Sequence, residues 1–174
     1  MWASASDMAL VRRLWACYQS RDWAAAQALF HPEACCLWWS TGERFDGAAG
    51  VVHVNAIYPE GWRLHLLSLN ALLGDTDAST GPPAASVVTQ EADCAGPVPG
   101  LARVHSLLRV DHGGDSFYAN SFFGLRGGLI VRVDEYWSDC KAPPAWRAEA
   151  DPALPGRQSM RPDLRDGWSL SRHE

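Results

Sequence analysis

Along the first third of the chain apolar residues recur at three-to-four-residue spacing; along the last third they alternate. Leu10, Val11, Leu14, Trp15 and Tyr18 trace one broad helical face, with Ser6 or Asp7 as the capping residue. Asp22 caps a second helix, Trp23 to Phe30, stopped by His31-Pro32. A strand over Ala34 to Ser40 and the turn Thr41-Gly42-Glu43 lead to a third segment, Gly47 to Tyr58, which ends at Pro59. Its Val51, Val52, Val54 and Ile57 weaken helical propensity without breaking the pattern.

From Trp62 the texture becomes β. Strands are predicted at Arg63 to Leu73, Ser86 to Cys94, Leu101 to His112, Ser116 to Leu125 and Leu129 to Ser138, with Gly74 to Ala85 a loop. Gly113-Gly114 and Arg126-Gly127-Gly128 are hairpin joints, so the last three strands form an antiparallel meander. Helices first and strands afterwards predict an α+β fold, with about three N-terminal helices covering one face of a curved sheet.

One residue breaks the final alternation. Leu129, Val131, Val133, Glu135 and Trp137 share a face, so a carboxylate stands among apolar neighbours. An unpaired buried charge is costly, so Glu135 is paired, at a cavity mouth, or kept there for chemistry. A structural ion pair with Arg63 or Arg103 is the plain alternative. A bulge that shifted the register by one would put Asp134 there instead.

Composition narrows the function classes. A chain of 174 residues supports one domain, and a net charge of −5 with no Lys/Arg run argues against nucleic acid or an anionic membrane as partner. There is no signal-peptide pattern and no apolar run long enough to span a bilayer, so a cytoplasmic location is expected. The five cysteines are odd in number and lack a C-x-x-C, which reads as reduced packing residues. The six histidines show no metal-ligand spacing, and P-loop, G-x-S-x-G and G-x-G-x-x-G patterns are absent, so neither metal nor cofactor is expected. Nine tryptophans suit a wide aromatic cavity, an interface or a Trp-rich core.

Arg21-Asp22-Trp23, Leu29-Phe30-His31-Pro32-Glu33-Ala34, Gly47, and the run from Gly128 to Ser138 together resemble the nuclear transport factor two-like superfamily, which includes ketosteroid isomerases and SnoaL-like cyclases. The resemblance implies residues 1–140 as a cone-shaped α+β roll with a mixed or antiparallel sheet, a pocket at one end, and a homodimer. Residues 141–174, rich in proline but carrying Trp146 and Trp168, are then an extension that packs on the domain or the dimer partner, or a disordered tail.

Compared position by position with the isomerases, the chain departs from them. The position of their aspartate base falls at Trp38, and that of their helix-borne tyrosine at Leu14. Their second oxyanion donor falls at Asn120 and their last-strand aromatic at Trp137. A ketosteroid isomerase is therefore not expected. The implied pocket is lined by Leu14, Trp38, Tyr118, Phe122, Val133 and Trp137, with Glu135 and Asn120 as its polar groups. In it Glu135 would act as acid/base and Asn120 as polarising donor on a small, flat, hydrophobic carbonyl compound, in an isomerase, cyclase or lyase. The rival is a non-catalytic ligand carrier or dimeric interaction module.

Overall fold

The computed structural model describes residues 2–73 and 100–139. Three helices precede most of the sheet: α1 (Ala5–Ser20), α2 (Trp23–Gln27) and α3 (Gly47–Ala56). The strands are β1 (Phe30–Trp38), β2 (Glu43–Asp46), β3 (Arg63–Leu72), β4 (Ala102–His112), β5 (Asp115–Arg126) and β6 (Leu129–Asp139). They form one curved, mixed sheet in the order β2-β1-β6-β5-β4-β3, in which only β1 and β6 run parallel. The fold is α+β, as the order of helical and strand patterns predicts.

Local chemistry explains where the boundaries differ from the sequence reading. Helix α1 is capped by Ser4, not Ser6 or Asp7, because Ser4 and Asp7 close a reciprocal capping box: the Ser4 hydroxyl accepts from the Asp7 amide and the Asp7 carboxylate accepts from the Ser4 amide (2.8 Å). Arg21 ends the helix in the left-handed region, φ 60°. Helix α2 stops at Gln27, short of the predicted Phe30, since Phe30 is already paired with Ile130 of β6. Two residues beyond, Pro32 lies in the stretch where the β1 register shifts, a place where proline's missing N–H is tolerated. Strand β2 is an element the turn signal alone did not reveal.

The β4-β5-β6 meander is as predicted, with both glycines of each hairpin at positive φ (60° and 92°; 60° and 76°). The predicted Ser86–Cys94 strand, the loop from Gly74 and the C-terminal extension lie outside the described residues. Among the described residues no helix is long and apolar enough to cross a membrane. Cys17, Cys35 and Cys36 are buried.

The core lies between α1, α3 and the inner face of the sheet. Leu14 and Val11 on α1, Val51 and Val52 on α3, and Val104, Leu108, Phe123 and Val133 on the strands are all buried in it. Trp15 and Phe123 meet edge to face at 5.7 Å, joining helix to sheet.

Candidate functional site

The parallel pairing of β1 with β6 sets Trp38 beside Glu135, and the antiparallel pairing of β5 with β6 sets Ser121 opposite the same residue. Partners in register share a face, so all three point inward. The Ser121 hydroxyl donates to one carboxylate oxygen of Glu135 (2.9 Å), while the indole N–H groups of Trp38 (2.8 Å) and Trp137 (3.0 Å) both donate to the other. Glu135 is 5 % exposed and has no Lys, Arg or His partner among the described residues. Burial is the main influence on its proton affinity and raises its pKa, against the opposing pull of the three donors.

The Glu135 phase survives a bulge. Between Gly124 and Leu125 the β5–β6 register slips, leaving Val131 as the extra residue. Ile130 therefore faces the core where Leu129 and Val131 were expected, but Val133, Glu135 and Trp137 keep the inner face. Asp134 points outward, clasped by Arg132 (2.7 Å) and by the indole of Trp39 (3.0 Å).

Above the carboxylate lies a cavity of about 270 Å³. Trp15 and Tyr18 of α1 form one wall, and Trp38 and Trp137 another. Val54 and Asn55 of α3, with Tyr58 and Trp62 beyond it, form a third, while Leu64, Val110 and Phe117 close it from the sheet. Ser40, Thr41 and the exposed Asp139 complete the lining. No Lys, Arg or His is among the described lining residues. Glu135 is not itself on the wall; the two tryptophans it binds are.

Two expected pocket residues are therefore in place, Trp38 and Trp137. Leu14 (1 % exposed) and Val133 are core residues and do not reach the cavity. Tyr118, Asn120 and Phe122 are corrected outright: they stand on the outer face of β5, where Asn120 is exposed and its Oδ1 accepts from His105 Nε2 (3.1 Å), and Phe122 meets His105 and Tyr136. The inner face of β5 carries Phe117, Ala119, Ser121 and Phe123 instead. Both faces of β5 carry aromatics, so alternation does not fix its phase, and the comparison with the isomerases set it one residue off.

The sequence reading also missed wall residues. Tyr18 lies one helical turn past Leu14 on the same side of α1, and that i,i+4 relation was the available signal. No described residue hydrogen-bonds its hydroxyl. Burial foremost, then the charges of Glu135 and nearby cysteines, raise its pKa well above the usual phenol, so it stays protonated. Trp62, in the turn after α3, has the Arg21 guanidinium 3.4 Å over its ring, with Glu60 balancing that charge at 3.0 Å.

No family model matches the chain, and no curated protein does. Solved structures do. A Kribbella flavida protein provisionally assigned as a ketosteroid isomerase aligns over 91 % of this chain and 93 % of its own, at 20 % identity and TM-score 0.64. An NTF-2 like protein of unknown function from Burkholderia xenovorans aligns over 87 % and 93 %, at 17 % identity and TM-score 0.55. A hypothetical protein from Catenulispora acidiphila with a ketosteroid isomerase-like fold, solved in complex with trimethylamine, aligns over 74 % and 85 %, at 12 % identity and TM-score 0.50. The chain thus has the nuclear transport factor two-like fold that its sequence marks imply.

Proposed function

We propose that this protein binds a small hydrophobic molecule in the tryptophan-walled cavity. The observation that carries this reading is the fate of the buried carboxylate: Glu135 commits its acceptor capacity to two wall tryptophans, fixing their rings around a cavity of about 270 Å³. Burying a carboxylate without a cation is a costly way to hold two indoles unless their placement matters. The trimethylamine bound to a fold neighbour supports a small organic occupant.

A thermal-shift screen of small apolar compounds on the native protein tests it. A ligand at a hundredfold excess over its Kd should stabilise by about 2.7 kcal/mol. Val54→Trp, which fills the cavity from α3, should remove that shift while leaving the unliganded melting point within a few degrees. A shift of equal size in the Val54→Trp variant, or no compound that shifts the native protein, overturns the reading.

An isomerase-type activity is the second reading, favoured by the raised Glu135 pKa and by the unengaged Tyr18 hydroxyl in the wall. A carboxyl whose pKa is raised by burial is a better proton acceptor from a bound substrate, and a neutral phenol can donate to a developing oxyanion. Because Trp38 and Trp137 stand between Glu135 and the ligand, one of them must swing aside. Glu135→Gln is expected to abolish such turnover with the fold intact; a fully active Glu135→Gln enzyme removes Glu135 from the chemistry. Asn120, on the outer face, has no part in it.

A further inference from the structure

The shape of the wall speaks against a flat occupant. Trp38 and Trp137 are inclined at 66°, Trp137 and Phe117 at 53°, and Phe117 and Tyr58 at 65°, in one continuous chain of neighbours 5.7–6.3 Å apart. A planar ring stacks on parallel partners and can lie flat on only one of these four. A compact, rounded head has no such preference and can meet neighbouring rings of different inclination.

The indole nitrogens of the wall are turned away from the cavity. The Trp38 and Trp137 N–H groups are committed to Glu135, and that of Trp15 to Ser106 (3.2 Å). The Trp62 nitrogen is buried without a hydrogen-bond partner among the described residues. What faces the cavity from these residues is ring carbon. An N–H held by a carboxylate is polarised, which places electron density in the ring. Among the described residues the lining holds one charged side chain, the exposed Asp139; behind the rings stand Glu135, Arg21 on Trp62, balanced by Glu60, and His112 against Tyr58. The polarising donor that a carbonyl ligand required, Asn120, is on the other side of the sheet.

We infer that the occupant of this cavity carries an alkylated ammonium group, held by cation–π contact with the inclined rings of Trp38, Trp137, Phe117 and Tyr58. This rests on the reading of the cavity as a binding site and names the chemical class it selects. Seven aromatic side chains among the described lining residues, with no Lys, Arg or His in that lining, suit a cation better than an anion.

The test pairs choline chloride with dimethylbutanol, the same skeleton with carbon in place of the charged nitrogen, each titrated into the full chain at constant ionic strength and followed by tryptophan fluorescence. Choline should bind about tenfold tighter than its neutral counterpart, the ratio expected for a desolvated cation–π site. Phe117→Leu keeps apolar volume and removes one ring; it should weaken choline about fivefold and leave dimethylbutanol unchanged. Equal or tighter binding of dimethylbutanol overturns the inference while the binding site stands. So does silence from both probes when a neutral compound from the apolar screen binds. If the screen is silent as well, the binding reading falls with it.

Discussion

Glu135→Ala is expected to destabilise the protein by about 2–4 kcal/mol. The substitution strands three donors that now share one carboxylate, the Ser121 hydroxyl and the indole N–H groups of Trp38 and Trp137. A buried donor left unsatisfied costs about 1–3 kcal/mol. Two effects hold the total below the sum: the wall tryptophans border the cavity, so water reaches them, and the desolvation of the carboxylate itself is relieved. Glu135→Gln should cost about 1 kcal/mol or less, since its amide oxygen can accept from both indoles and its NH2 can donate to Ser121. Urea unfolding of the two variants decides the matter. Equal losses for Ala and Gln would mean that the amide does not take over the three hydrogen bonds and that side-chain volume is not what Glu135 supplies.

The same residue gives a pH signature with a definite sign. Its folded pKa is raised, so as pH climbs from the ordinary carboxylate range the unfolded chain releases this proton first while the folded protein keeps it. The unfolded state then binds fewer protons, and stability falls as pH rises through the folded value. Asp111 acts in the opposite direction and at lower pH: its partial burial favours the neutral form, but the Ser116 hydroxyl, then Arg109 and His65, outweigh that and hold it below its usual range. Glu135→Gln should therefore flatten the stability profile on its rising-pH side and leave the acid limb alone. Melting points across the acid-to-neutral range would show it.

Phe123→Ala is expected to cost about 3–5 kcal/mol, the range for removing a fully buried phenylalanine. Phe123 has no exposed surface and braces Trp15 edge on. Its loss leaves a void between helix and sheet, and frees Trp15, whose ring also forms part of the cavity wall. Its neighbour supplies the control. Phe122 faces outward, where it meets Tyr136 and His105, so Phe122→Ala should cost about 1 kcal/mol. Chemical denaturation of the pair thus reads the phase of β5 directly; a larger loss at position 122 would reverse the assignment of inner and outer faces.

The contrast between positions 122 and 123 also explains what the sequence could and could not reveal. In β6 the apolar side is continuous, so a single carboxylate stands out as an anomaly, and Glu135 was legible from alternation alone. In β5 both faces carry aromatics, Phe117 and Phe123 within, Tyr118 and Phe122 without, and alternation has no preferred phase. Comparison with relatives then put Asn120 where Ser121 belongs. The helix order and the meander were legible because turn glycines and helical spacing are local signals. Strand β2 and the early end of α2 were not, because both are decided by pairing with β1 and β6. Tyr18, Trp62 and Phe117 enter the wall through packing of α1, a turn and a strand edge that are distant in sequence.

The position of β6 in the sheet has a consequence for how the chain comes to be folded. It is the last of the six strands to be made, yet it lies between β1 and β5, and the bond from Trp38 to Glu135 closes a separation of 97 residues. Until it emerges, the described sheet consists of two unjoined fragments, the β1–β2 hairpin and the β3–β5 block. Such long closures slow folding, and each fragment meanwhile offers an unpaired edge. During synthesis the first half of this protein must wait for its final strand, and a chain cut short before residue 129 would be left with two open edges that any other strand could join.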